Sequence, residues 1–490
     1  MEIADRFRAE EELSSNVRGR FYIGGQWVFP ETDALISLVS PVTEEVQAQV
    51  PAGSIADMAK AVDAADLAFQ AGPWPRLTPA ERAAYLRRVA DEIRARLPLL
   101  KRLWPAQIGA PMWMSEGFVP SAPAHFDFFA GLAESFAFEE ERKTQFGYAK
   151  VIREPVGVCA LIVPWNSPLF LLTQKLAPAL LAGCTVVVKP SPESPIDALI
   201  IAECVEAAGI PAGVVNIVPA GRETGDWLIR QPQINKVSFT GSVAAGRHIA
   251  AVCADRIARV SLELGGKSAS ILCEDADLSA WLETALPFTM PLAGQVCFSQ
   301  TRVLVPRSRH KEIVEAYADT MASKTLGDPW EISTFMGPVA SAVQRDRVLN
   351  YIDIAKQEGA RAVIGGSAST AFNRGYFIEP TIFEGVTSDM RVAQEEVFGP
   401  VVCIIDYDDD ADAVRIANDS NFGLSGTVFS RDLARAEAIA RQVRTGNISI
   451  NGLQVDPGIP FGGYKQSGIG REAGPEGLEP YLETKAIYFS

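Results

Sequence analysis

Histidine is scarce in this chain: 490 residues hold only His125, His248 and His310. No two of them are close in sequence and none has metal-ligand spacing, so neither a metal centre nor a histidine-based triad is expected. Cysteine pairs are missing as well. The seven cysteines, at 159, 184, 204, 253, 273, 297 and 403, are odd in number and form no CxxC. Most sit in apolar runs such as Val158-Cys159-Ala160, which reads as buried free thiols of a reducing cytoplasm and excludes a disulfide framework. No low-complexity tract or internal repeat is present. The longest apolar run, from Leu169 to Leu180, is broken by Gln174, Lys175 and Pro178, so it cannot span a bilayer. The leader Met1 to Arg6 is charged and lacks an apolar core, so no signal peptide is expected. Positive charge is in deficit. A net charge of −15 repels nucleic acid and anionic lipid, and neither is an expected partner.

What is present suits a soluble protein of two or more domains, with 48% hydrophobic and 21% charged residues. Phe21 to Val28 reads as a hairpin turning at Gly24-Gly25. Thr78-Pro79-Ala80-Glu81 is a capping box with proline at the first helical position, and predicts a helix to about Leu97. From Val156 the pattern becomes strand–helix alternation. Strands are expected at Val156 to Val163, Thr185 to Val188, Val214 to Val218 and Lys236 to Phe239. Near-continuously apolar strands separated by helices imply a parallel sheet covered on both faces. A second alternating series runs from about Lys267 to Ile450 and includes Arg302 to Val305, Val401 to Ile405 and Asn447 to Ile450. Arg142 to Arg153 and Thr484 to Phe489 read as exposed strands outside either core.

Two segments carry the chemistry. Cys297 ends Gly294-Gln295-Val296-Cys297, and Glu263 lies in Leu262-Glu263-Leu264-Gly265-Gly266-Lys267. A thiol and a carboxylate in glycine-flanked turns supply a nucleophile and a base, the two needs of an acyl-enzyme route. No Gly-x-Gly-x-x-Gly fingerprint follows the strands. Instead Phe239-Thr240-Gly241-Ser242 joins a strand to a helix, where Ser242 can cap the helix start and its free N–H groups favour an anion.

With Pro164-Trp165-Asn166 and Glu395-Glu396-Val397-Phe398-Gly399-Pro400, these segments stand in one order along the chain. Together they resemble the aldehyde dehydrogenase superfamily from about Tyr22 to the C-terminus. The resemblance implies an α/β fold of two doubly wound domains, one Rossmann-like for the cofactor and one catalytic, plus a small β oligomerisation extension. It implies a cofactor domain over 1–134 and 155–264, oligomerisation strands over 135–154, a catalytic domain over 265–466 and a return segment over 467–490. A homodimer or homotetramer follows from the extension.

The same resemblance assigns roles. Cys297 is the nucleophile, Asn166 an oxyanion donor, Glu263 the base that activates water, and Lys175 with Glu472 a proton-relay pair. Carried-over cofactor contacts are Ile162, Val163, Pro164, Trp165, Lys189, Ser191, Gly221, Gly225, Phe239, Gly241, Ser242, Leu264, Gly265, Gln344, Glu396 and Phe398. Lys189 is expected to reach ribose hydroxyls. Pro192 stands where the family usually has a ribose-binding glutamate, and the carboxylate comes one residue later, at Glu193. NAD is favoured because no extra arginine or lysine is nearby, and NADP stays open. Leu292 departs from the usual asparagine and is expected to alter local packing.

The aldehyde funnel is expected from Ser167, Leu171, Gln174, Val296, Phe298, Gln454 and Phe461, with Trp113, Met114 and Phe118 as helix contributions. That set is mostly apolar and points to an apolar or aromatic aldehyde, oxidised to the carboxylic acid. A semialdehyde is the variant substrate. A cofactor-independent cysteine esterase or thioesterase and a non-catalytic protein of the same fold are the competing readings.

Overall fold

The computed structural model describes residues 6–284 and 286–489; of the charged leader, Met1 to Asp5 lies outside them. The first alternating series builds an eight-stranded sheet. Its order is Gln26–Val28, Phe21–Ile23, Val215–Ile217, Thr185–Lys189, Val158–Ile162, Ile234–Thr240, Arg259–Glu263 and Gly468–Ile469. The five central strands are parallel and the flanking pairings antiparallel. Val158–Ile162, Thr185–Lys189 and Val215–Ile217 are buried throughout, as their unbroken apolar character requires.

Chain order reverses between Val158–Ile162 and Ile234–Thr240. From the first strand the chain winds one way to Val215–Ile217, and it then returns on the other side. Such a reversal leaves a crevice outside the carboxyl ends of the two strands, where ligands collect in open α/β sheets.

A second, seven-stranded sheet runs Arg361–Ile364, Thr381–Glu384, Val401–Tyr407, Arg302–Pro306, Ala269–Leu272, Gly426–Phe429 and Ser449–Ile450. All its pairings but the first are parallel. Glu139–Thr144, Gly147–Pro155 and Leu482–Phe489 form a separate antiparallel sheet, the chain end pairing along the whole length of the middle strand.

Two elements differ from expectation. The capping-box helix does not stop near Leu97 but continues as Pro79–Ile108, through Pro98 and Pro105, to Gly109 in the left-handed conformation. Leu100, Leu103 and Ile108 are fully buried and Trp104 nearly so. Burial of four large apolar side chains, about 2 kcal/mol each, offsets the bonds the prolines remove. Before it, Leu35–Val39 and Val46–Pro51 form a hairpin that the sequence did not announce. Among the described residues no helix is long and apolar enough to cross a membrane.

Candidate active site

The strand Val158–Ile162 delivers Pro164, Trp165 and Asn166 to the crevice, and Ile234–Thr240 delivers Gly241 and Ser242. Ser242 caps the helix Val243–Asp255, its side chain accepting from the Ala245 N–H. Leu264, Gly265, Gln344, Glu396 and Phe398 close the other side of the cleft, and Cys297 forms its floor. Backbone lines much of the wall, because a Cβ on Gly265 would lie 2.2 Å from Glu396 Oε2. Glu396 Oε1 accepts from the Gly266 N–H at 3.0 Å, and burial raises the carboxyl to about 7. Phe398 stands edge-on to Trp165, and its left-handed carbonyl accepts from Gln344 Nε2 at 2.5 Å.

Other expected cofactor contacts stand further back. Ile162 and Val163 end their strand, buried, and Phe239 packs under Gly241. Gly221 precedes the helix Arg222–Arg230, whose Gly225 lets the Lys189 side chain lie against it. Lys189 Nζ donates to the Pro190 carbonyl at 3.0 Å, and burial lowers it to about 8. Ser191 Oγ donates to Glu193, which brings a carboxylate beside this lysine although Pro192 occupies the usual position.

Cys297 is the one cysteine of the seven that is not fully buried. Its approach is strained: Leu292, Ala293 and Gly294 are successively left-handed. The usual asparagine tolerates that conformation better than Leu292, so the departure falls on backbone strain as well as packing. Gly294 has no alternative, since a Cβ there would sit 1.9 Å from the Gly399 carbonyl. Gln295 pins the turn. Its Nε2 donates to Leu292 O at 2.9 Å, its Oε1 accepts from Ala340 N–H at 2.9 Å, and its carbonyl accepts from Asn166 Nδ2 at 2.9 Å. The Asn166 carbonyl in turn accepts from Trp104 Nε1 at 2.7 Å, fixing that residue from both ends. Burial, then the charges of Glu396 and Glu263, push the thiol up.

Glu263 ends the strand Arg259–Glu263 between Thr240 and Gly468. Neither carboxylate oxygen has a hydrogen-bond partner among the described residues. Burial first, and the Glu472 charge second, raise its pKa well above the carboxylate range, while Lys175 and Arg471 oppose. Behind it Lys175 Nζ donates to Glu472 Oε1, which also accepts from Ser238 Oγ at 3.3 Å. Glu472 is tied by two backbone bonds to Phe461.

On the side away from the crevice, Cys297 opens into a narrow tunnel. Ser167, Leu171, Gln174, Val296, Phe298, Phe461, Met114 and Phe118 line it as expected. Gln454 belongs instead to an outer chamber beyond Phe461. Trp113 does not line it: its ring stacks on Phe335 and its Nε1 donates to the Phe335 carbonyl at 3.0 Å. An aromatic at helical spacing served packing there. Sequence reasoning missed Trp104, Phe170 and Phe288 in the tunnel and Arg347 in the cleft. Arg347 follows Gln344 by three residues on the helix Ala342–Gln357, a same-face spacing that could have indicated it.

One sulfur thus sits between a backbone-lined cleft and an apolar tunnel, with a free buried carboxylate nearby. The model of the Aldehyde dehydrogenase family matches residues 27–487. The chain belongs to the aldehyde dehydrogenase family. It is 44% identical to the geranial dehydrogenase of Castellaniella defragrans, over 95% of this chain and 98% of that protein. It is 40% identical to the 3-succinoylsemialdehyde-pyridine dehydrogenase of a Pseudomonas species, with the same coverage. An aldehyde dehydrogenase of Mycobacterium tuberculosis complexed with NAD+ superposes with a TM-score of 0.94 at 43% identity, covering 96% of this chain and 98% of that one. A mutant of aldehyde dehydrogenase C from Pseudomonas syringae, complexed with NAD+ and octanal, gives 0.93 at 40% identity, with 97% of each chain covered. As an aldehyde dehydrogenase, the chain has a fold of the family throughout, and the crevice and tunnel are parts of one enzyme.

Proposed function

We propose that this aldehyde dehydrogenase oxidises apolar or aromatic aldehydes to carboxylic acids with NAD, through a thioester on Cys297. The observation that carries the reading is the position of that sulfur, shared by the cleft floor and the tunnel end.

The cleft suits a dinucleotide. It offers a capped helix start for a pyrophosphate, bare backbone at Gly241 and Gly265 for close approach, and a buried carboxylate at Glu396 for ribose hydroxyls. When bound, NAD supplies the hydride acceptor. The carboxylate of Glu193 beside Lys189 disfavours a 2′-phosphate, and so favours NAD over NADP.

The chain's own residues do the rest. Cys297 Sγ releases its proton to solvent, and the thiolate forms a bond to the aldehyde carbon as the carbonyl π bond breaks and its electrons pass to oxygen. Asn166, with one N–H already given to Gln295, holds the developing oxyanion with the other, a contribution of about 3 kcal/mol for a donor of this kind. After oxidation the carbon is a thioester. Glu263 removes a proton from water, the hydroxide adds to that carbon, and the carboxylic acid leaves as the thiolate is restored. An unpartnered, buried carboxylate of raised pKa is well matched to this task. Lys175 and Glu472 then carry the proton away from Glu263. Among the described residues no charged side chain lines the tunnel, which supports apolar over anionic aldehydes.

We also place the boundary of the cofactor and catalytic domains near residue 265, between the two large sheets. The exposed three-stranded sheet is read as the contact of a homodimer or homotetramer, and the compartment as the cytoplasm.

The test is a panel of aldehydes with NAD and NADP in parallel, followed at 340 nm. Octanal and benzaldehyde with NAD should give higher kcat/KM than ω-carboxylated aldehydes or than the same aldehydes with NADP. Preference for an ω-carboxylated aldehyde would contradict the substrate class, and ester cleavage without reduced cofactor would contradict the reaction.

A further inference from the structure

Among the polar side chains lining the tunnel and outer chamber, two that the reaction above does not use are almost fully buried. Gln174, on the helix Pro168–Ala182, is 2% exposed and lines both spaces, and its Oε1 has no hydrogen-bond partner among the described residues. His125, on the helix Pro123–Leu132, is 1% exposed and lines the outer chamber. Phe170, Thr173 and Gln174 share one face of their helix, and His125 packs edge-on against Phe170 with ring centroids 4.5 Å apart.

The imidazole's tautomer follows from its neighbours. His125 Nδ1 is 3.0 Å from Thr173 Oγ1, and that hydroxyl gives its own proton to the Phe170 carbonyl at 2.9 Å. A lone pair of Oγ1 then faces the ring, which favours the proton on Nδ1 and Nε2 as the acceptor, and the Ala122 backbone carbonyl also lies against the ring. Burial lowers the ring to about 4, so it is uncharged at neutral pH. Of the chamber's other polar residues, Asn447 donates to the Pro460 carbonyl, Ser425 accepts from Gln300, Ser449 accepts from the Gln454 N–H, and Asp456, at the exposed end with Gln454, accepts from the Gly458 N–H.

We propose that His125 and Gln174 form a subsite for a neutral hydroxyl, alcoholic or phenolic, carried by the aldehyde substrate several atoms beyond its carbonyl carbon. Nε2 requires a donor. The amide can give or receive, because a half-turn exchanges its two ends. A hydroxyl satisfies both at once, donating to the imidazole and accepting from the amide. A carboxylate or ether turns only lone pairs toward Nε2, and among the described residues no cation lines the tunnel to compensate a charge. A methyl group leaves the buried amide without a match, and an unmatched polar group discriminates strongly between analogues. The substrate class narrows from apolar aldehydes to apolar aldehydes bearing a remote hydroxyl. This rests on the tunnel being the aldehyde's path.

Two matched pairs test it with the full-length enzyme and saturating NAD: 3-phenylpropanal against 3-(4-hydroxyphenyl)propanal, and octanal against 8-hydroxyoctanal. In each pair saturated carbons insulate the carbonyl from the hydroxyl, so intrinsic reactivity is matched. The hydroxylated member of at least one pair should win in kcat/KM by roughly 10-fold or more, mainly through KM, as remote binding requires. In Gln174→Leu that ratio should fall to about one. Turnover of all four with ratios under about threefold overturns the subsite while leaving the dehydrogenase reading intact. A preference that survives Gln174→Leu removes the amide from it, and no reduced NAD from any of the four overturns both readings.

Discussion

Burial, more than any partner charge, sets the three acids Asp197, Glu263 and Glu396. Asp197 shows it away from the chemistry. It begins the helix Ile196–Ala207, is 2% exposed, and its Oδ2 accepts from Gln107 Nε2 at 2.5 Å. Burial raises it to about 7 from an ordinary 3.8. Between those values the folded chain keeps a proton that the unfolded chain has released, so stability falls as pH rises through that window. Asp197→Asn keeps the shape and removes the titration. Its melting temperature relative to the parent should climb by a few degrees from pH 5 to 7 and then level off. A difference that does not change with pH would contradict this account. Glu263 has the same origin for its shift, and there the raised pKa suits the base proposed above.

At the scale of elements, the turn before Cys297 is held by side chain rather than by regular structure. Gln295→Ala would remove both amide bonds and leave the Ala340 N–H buried without its acceptor. The expected cost is about 2–4 kcal/mol, read by urea unfolding. A fall in kcat should accompany it, since Asn166 is anchored to the same turn. Unchanged kcat in a destabilised protein would make Gln295 merely structural. The parallel strands were legible because their apolar runs have a single use, burial on both faces. The segments of Cys297, Glu263 and Asn166, to which the roles of nucleophile, base and oxyanion donor are proposed, stood out because each residue ends a strand or a turn. The long helix was not: Pro98 and Pro105 argue locally for a stop, and only the burial of Leu100, Leu103 and Trp104 in the tertiary core explains its continuation. The ring of Trp113 was misplaced for the converse reason, because periodicity cannot tell tunnel from packing. His125 was noticed only as a rarity, and its place beside Phe170 needed the fold.

At the scale of the whole molecule, the sheet formed by Glu139–Thr144, Gly147–Pro155 and Leu482–Phe489 stands outside both large sheets. It exposes Phe146, Ile487 and Tyr488, the last at 75%, and stacks Tyr148 on Phe489. Exposed aromatics on a sheet with open edges invite association. Sedimentation equilibrium should find at least two chains per particle, and removal of residues 482–490 should shift the population toward single chains. A monodisperse monomer for the intact chain would remove the assembly proposal.

The central claim is that one sulfur holds the substrate carbon covalently between cleft and tunnel, and that Glu263 releases it. Glu263→Gln, mixed with NAD and octanal and examined by intact-mass spectrometry, tests it most directly. The account predicts about one reduced NAD per chain, and an added octanoyl group that persists and is absent when Cys297 is also changed to alanine. Steady turnover by Glu263→Gln, or an acyl group retained without Cys297, would contradict it.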